Sequence, residues 1–95
     1  MDACFELVED PPVARFEFFR NGMLVGFATY QSNDNDVVVG HVETLAQFRG
    51  NGYADRLMVQ LLEQLRESNR TITPLCWFAA GHIRERPDQH DLLSI

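Results

Sequence analysis

The 95-residue chain has no lysine: its eight basic residues are all arginine. A phosphate loop of the Walker type needs a lysine after its glycines, so that chemistry is excluded. Cysteine is nearly as scarce. Cys4 and Cys76 make neither a disulfide framework nor a zinc-ligand spacing, and they suit reducing surroundings. His82 and His90 stand too loosely with respect to His41 to complete a metal set, so no metal is expected. No apolar run approaches the ~18 residues that would cross a bilayer. The opening Met1-Asp2-Ala3-Cys4 lacks the basic stretch and apolar core of a secretory signal. The expectation is therefore a cytoplasmic protein with no membrane partner. Positive charge is in deficit, 8 basic against 14 acidic residues for a net −6, which argues against tracking a phosphate backbone and hence against a nucleic-acid partner. Repeats and low-complexity linkers are missing. The length fits one domain over residues 1–95, burying about 60–65% of the surface its unfolded chain exposes.

What the chain does have is alternation followed by helical periodicity. Phe5 to Val8 reads as a short strand or an ordered arm, ended by Pro11-Pro12. From Val13 to Arg20, Ala14, Phe16 and Phe18 share one face and Arg15 and Glu17 the other, the pattern of a half-buried strand. Asn21-Gly22 is a type I′ hairpin signal, and Met23 to Gln31 returns as the next strand. After a polar loop, Ser32 to Asp36, the run from Val37 to Leu45 completes an antiparallel meander. Strict alternation there puts Val37, Val39, His41, Glu43 and Leu45 on one face unless a bulge intervenes. Ala54 to Ser68 carries Leu57, Met58, Leu61, Leu62 and Leu65 at helical spacing, which predicts a surface helix packed on the sheet. Thr71 to Ala79 reads as a fourth strand with Pro74 inside it, at an edge, a bulge or a divergence of strands. A short helix over Ala80 to Arg86 is stopped by Pro87, and Leu92, Leu93 and Ile95 are left to dock a tail.

Between the third strand and the long helix lies Gln47-Phe48-Arg49-Gly50-Asn51-Gly52-Tyr53-Ala54. Two glycines let the backbone approach a ligand closely, and the helix that follows aims its unpaired N–H groups and positive dipole end into the loop. The stretch reads as an anion site made of backbone, with an ordinary turn as the plainer alternative. A Rossmann fingerprint fails because Asp55 stands at the third glycine position.

His41 and Glu43, two apart on a strand, are either a structural imidazole–carboxylate pair or a base and its orienting group. Cys76 is either an inert buried hydrophobe or a reactive thiol.

Taken together, Q-x-x-G-x-G, the H-V-E-T at 41–44, T-P-L-C-W-F at 73–78 and R-P-D-Q-H-D-L-L at 86–93 resemble the small single-domain Gcn5-related N-acetyltransferases, whose signature is H-T-E-V, R-G-x-G and P-x-C. His41, Glu43, Arg49, Gly50, Gly52, Pro74 and Cys76 match. Val42, Thr44, Tyr53, Ala54, His82 and Arg86 depart from the residues usual in that family. The resemblance implies an α+β, truncated acetyltransferase fold: a mainly antiparallel sheet with splayed central strands, one long helix after a pyrophosphate loop, and a short C-terminal helix. It implies acetyl-CoA as co-substrate, held by Leu45, Gln47, Phe48, Arg49, Gly50, Asn51, Gly52, Tyr53 and Ala54, with backbone N–H groups near Leu45 polarising the acetyl carbonyl. Acetyl transfer to a primary amine follows, with His41 as base, Glu43 orienting it, and Cys76 as nucleophile or as proton donor to the leaving thiolate. The acceptor is expected to be a small-molecule or peptide amine, and the protein a monomer or weak homodimer. The alternative is a coenzyme A-binding module or sensor without turnover.

Overall fold

The computed structural model describes residues 3–94. Strands β1 (Phe5–Asp10), β2 (Arg15–Arg20), β3 (Met23–Asn33) and β4 (Asp36–Thr44) form the antiparallel meander, and β5 (Thr71–Pro74) adds to β4 in parallel. Sheet order is therefore β1-β2-β3-β4-β5. Asn21 and Gly22 both adopt positive φ, +50° and +80°, as a type I′ hairpin requires. The polar loop at 32–36 is shorter than its composition suggests. Ser32 pairs with Val37 and Asn33 with Asp36, leaving only Asp34 and Asn35 to turn. At the other end, Pro11–Val13 forms a 3₁₀ turn closed by Ala14 in the left-handed region, so β2 starts at Arg15 rather than Val13.

Helix α1 (Tyr53–Glu67) lies on one sheet face and buries Leu57, Met58, Leu61, Leu62 and Leu65 against Phe16, Phe18, Val25, Val39 and Ile72. Each such side chain contributes about 1.5–3 kcal/mol when fully removed from water. Two polar contacts tie edge strand β1 to this layer. Gln64 Nε2 donates to the Leu7 carbonyl at 2.7 Å, and Arg70 donates from Nη1 and Nη2 to the two Glu9 carboxylate oxygens at 3.1 and 2.9 Å. Tyr30 Oη donates to the same carboxylate at 2.6 Å.

The expected strand from Thr71 to Ala79 is half strand and half helix. Proline ends the ladder because it has no N–H to donate. The Leu75 and Cys76 N–H groups then converge on the Val39 carbonyl at 3.0 and 3.1 Å, and the chain enters α2 (Trp77–Arg84). Thus the last helix begins three residues before the expected Ala80 and ends at Arg84. Its buried face is Ala79, His82 and Ile83, a helical spacing that strand alternation conceals. Pro87 opens a 3₁₀ turn (Pro87–Leu92), Leu92 is buried, and Leu93 forms a parallel bridge to Ile72. Ile95, the third expected docking residue, lies outside the described residues.

A bulge in β4 decides how the site is presented. Tyr30 pairs with Val39 but Thr29 pairs with His41, so Gly40 is an extra residue on β4. One inserted residue reverses the alternation. Val37 and Val39 are buried before it, Val42 packs on the core after it, and His41 and Glu43 turn to the opposite face, away from the valines they were expected to join. There Glu43 is the register partner of Phe27, and the His41 ring lies 6.4 Å from the Phe27 ring.

Candidate active site

Strands β4 and β5 part after Val39↔Pro74, the last pair of their ladder. Their closed end is fastened by Asp36, whose carboxylate accepts from Thr71 Oγ1 at 2.8 Å and Thr73 Oγ1 at 2.5 Å. Beyond the last pair a cleft of about 580 Å³ opens, walled on the β4 side by His41, Glu43 and Thr44 and on the other by Cys76 and Phe78. Arg49 and Ala54 line it from the loop side. Arg49 and Ala54, which flank the two glycines, thus border one cavity with the His–Glu pair and the cysteine, while Asn51 and Tyr53 line a separate one with Arg20 and Arg56.

The loop itself has the conformation that glycine permits. Ala46–Phe48 form a 3₁₀ turn, and Gly50 and Gly52 then take φ of +85° and +74°. Nothing stands within 4 Å of where a Cβ would project from either, so local packing does not demand glycine there. Backbone conformation and an open approach do. Gly52 is the N-cap of α1, and no side chain caps the first turn, which leaves the amides at the positive end of the helix dipole facing outward. Arg49 Nε donates to the Thr44 carbonyl at 3.2 Å, and Asn51 Nδ2 to the Phe48 carbonyl at 2.9 Å. Phe48 and Tyr53 are anchors rather than free binding groups. Both pack on the core, 6.5 Å apart, and the Tyr53 ring lies 5.8 Å from Phe5. Gln47 is exposed.

The N–H of Leu45 itself donates to the Val25 carbonyl at 2.9 Å, so a donor to an acyl carbonyl there would have to be a neighbouring N–H group.

His41 Nε2 lies 2.9 Å from Glu43 Oε1, with the two side chains 56% and 39% exposed. An ionised carboxylate can only accept, so Nε2 carries the hydrogen and Nδ1 keeps a lone pair able to take a proton. Glu43 thereby fixes the tautomer and would stabilise the imidazolium that forms. Cys76 is half-buried at the N-cap of α2, and its thiol is free.

One pair escaped sequence reasoning. His82, only 1% exposed at its side chain, places Nδ1 3.1 Å from Asp55 Oδ1, and its buried Nε2 has no partner among the described residues. The contact joins the first turn of α1 to α2. Its signal was the spacing of Ala79, His82 and Ile83, visible only once the helix is started at Trp77.

A family model described as GCN5-related N-acetyl-transferase matches residues 15–92, which include the bulged strand, the loop and the cleft. The chain belongs to the GCN5-related N-acetyltransferases. Acyl transfer in general is the chemistry that membership carries. The chain is also similar to the NMR solution structure of a "GCN5-like putative N-acetyltransferase" from Staphylococcus aureus, at 20% identity and a TM-score of 0.68 over 93% of this chain and 86% of that one. At that identity the likeness speaks for the fold, a truncated acetyltransferase sheet with its two main helices. No curated protein matches the chain. Among the described residues no helix is long and apolar enough to cross a membrane.

Proposed function

We propose that this acetyltransferase moves an acetyl group from acetyl-CoA to a primary amine. The observation that carries the reading is that Arg49 and Ala54, on either side of the uncapped, positive-φ glycines, line the same cleft as the His41–Glu43 pair. The loop fits a diphosphate: the amides around Gly50 to Ala54 and the Arg49 guanidinium would hold it, and the cleft beyond would take the extended arm. When bound, the co-substrate supplies an acyl group activated as a thioester. His41 Nδ1 then takes the proton that an ammonium must lose before its nitrogen can attack, while Glu43 holds the ring in place. Cys76, on the wall of the cleft, would either return a proton to the departing thiolate or accept the acyl group itself as that thiolate leaves. The acidic surface favours a cationic acceptor, a small amine or a peptide. The setting we propose is the cytoplasm, as a monomer or weak homodimer.

A second reading, a coenzyme-binding module without turnover, is favoured by the exposure of the His41–Glu43 pair, since nothing in the described residues walls off an acceptor over it. Mass spectrometry with acetyl-CoA, first alone and then with pooled amines, separates the two. Transfer to one amine, with a pH–rate profile whose acid limb vanishes in His41→Ala while coenzyme affinity is retained, supports the enzyme. Bound coenzyme with no product across the pool supports the module.

A further inference from the structure

Two residues beside the cleft are idle in the packing of the fold. Leu75 is 69% exposed, although its backbone is fixed by the N–H bond to the Val39 carbonyl at 3.0 Å. Gly40 is the extra residue of the β4 bulge, yet its φ is outside the left-handed region and nothing stands within 4 Å of its absent Cβ. Neither strain nor packing asks for glycine there, whereas the close approach of a ligand would. These two residues meet. They line one groove of about 290 Å³ together with Thr29, Tyr30, Gln31 and Val38. Thr29, Gln31 and Val38 alternate with the buried Ala28, Tyr30, Val37 and Val39, which puts the groove on the sheet face opposite α1, the face that His41 also takes.

Gly40 lines the groove and the cleft alike, and Thr29 is the register partner of His41. Along β4 the groove thus begins on the side of His41 away from Glu43. An amine whose nitrogen reaches His41 has room to lay the rest of its length there. None of the lining side chains is charged. Arg15, opposite Thr29 on β2, is turned the other way: its guanidinium pairs with Glu17 and lies over the Phe27 ring, 4.9 Å from the centroid. A second ammonium or a carboxylate on the acceptor would lose water in the groove and find no counter-ion. We propose that this groove holds the tail of the acceptor and selects primary amines with a short, uncharged, largely apolar tail over diamines and amino acids. Leu75 and Val38 form its apolar walls, and the Thr29 hydroxyl and Gln31 amide accommodate a polar group. The assignment rests on the acyl-transfer reading of the His41–Glu43 pair.

Acceptors of equal length separate tail charge from tail length. With acetyl-CoA, pentylamine should exceed ethylamine in kcat/KM by about 8- to 60-fold, which is about 2- to 4-fold for each added methylene, while cadaverine and 5-aminopentanoate should fall to the level of ethylamine or below. Gly40→Leu fills the groove without touching the core and should bring the ratio of pentylamine to ethylamine close to one. Leu75→Glu supplies a counter-ion and should raise cadaverine relative to pentylamine by about 2- to 5-fold over the wild-type ratio, a gain that damage to the fold could not produce. A wild-type preference for cadaverine or 5-aminopentanoate overturns the proposal, as do ratios that neither variant moves. So does transfer to a lysine-containing peptide with pentylamine ignored, which would give this face to a macromolecular acceptor. If acetyl-CoA binds by calorimetry but no amine of the set and no peptide is acetylated, the acyl-transfer reading itself fails, and the role of the groove falls with it.

Discussion

Gly26 on β3 packs against the Glu43 carbonyl across the ladder, and replacing it by alanine tests how tightly the sheet positions Glu43. A Cβ built there lies 2.7 Å from the Glu43 carbonyl oxygen, with the Thr44 Cα at 3.5 Å and the Glu43 carbonyl carbon at 3.7 Å. Tolerable C···O contacts begin near ~3.3 Å, so β4 must retreat by about 0.6 Å or more. The obstacle is backbone and cannot be relieved by a rotamer change. Gly26 and Thr44 are register partners, and the neighbouring Leu45 N–H to Val25 carbonyl bond, 2.9 Å long, lies in the path of the displacement. Overpacking of this kind costs about 1–3 kcal/mol, a weakened hydrogen bond adds about 1, and the reduced freedom of the unfolded chain returns about 0.4–1. The net expectation is roughly 1–3.6 kcal/mol, or a fall of about 4–29 °C in melting temperature for a chain of this size. Gly40→Ala is the control. It lies on the same stretch of β4 with nothing within 4 Å, and it should stay within about 0.5 kcal/mol of wild type. Urea and thermal unfolding followed by circular dichroism read both. A Gly26→Ala protein that melts within about 2 °C of Gly40→Ala would show that the β3–β4 approach is soft, and the reasoning would be wrong.

Gly52→Val should keep a native circular dichroism spectrum at a cost of about 1–3 kcal/mol for the strained φ, yet lose the melting shift given by coenzyme A; an unchanged shift would make the loop a turn and nothing more. The wild-type shift at a hundredfold excess over Kd should be worth about 2.7 kcal/mol. For Cys76→Ala, a nucleophilic cysteine predicts loss of both turnover and a protein-borne acetyl adduct, while a proton donor predicts no adduct and a rate about 10²–10⁴-fold lower. The Glu9 cluster makes stability depend on pH at both ends. Hydrogen bonding from Arg70, followed by that from Tyr30, outweighs burial and holds the Glu9 carboxyl below its ordinary 4.5, so its contribution is present above that pH and lost as acid reaches the lowered value; Glu9→Gln should flatten this acid limb. Burial and then the Glu9 bond push the Tyr30 phenol up to about 12, so its contribution holds below pH 10 and fades between pH 10 and 12, a loss that Tyr30→Phe should abolish in alkaline melting curves.

The parts of this fold that sequence could reveal are those governed by local chemistry. The Asn21-Gly22 hairpin, the five-residue apolar stripe of α1 and the two loop glycines each act within a few residues, and each takes the expected conformation. A break at Pro74 was also legible, because a proline cannot donate to a ladder; that it is a divergence of strands rather than an edge or a bulge was not. What escaped was decided by partners distant in sequence. Whether Cys76 ends a strand or caps a helix depends on Val39 accepting two N–H groups from a segment 36 and 37 residues away. The commitment of the Leu45 N–H depends on Val25, and the burial of His82 depends on Asp55 across an interhelical contact. The face of His41 turned on a single unpaired residue, which alternation can allow for but cannot locate.

That unpaired residue also explains why opening and orientation coincide. Gly40 interrupts β4 immediately after Val39, and Pro74, the partner of Val39, ends β5 in the same row. Both strands therefore break at one level of the sheet. The break in β5 frees the flank of β4 and turns the chain into α2, which brings Cys76 and Trp77 to the gap. The break in β4 rotates the next residues by one position, which takes His41 and Glu43 off the face covered by α1 and places them on the exposed one. Without the bulge, an imidazole and a carboxylate would be pressed into the leucine layer, where an ionised pair pays a desolvation penalty of several kcal/mol per charge. With it, the pair stays hydrated until an acceptor covers it. On the proposed reading, an amine would therefore approach from the face opposite α1, and the coenzyme would enter from the loop at the end of the cleft. The two would meet at the row where the strands part.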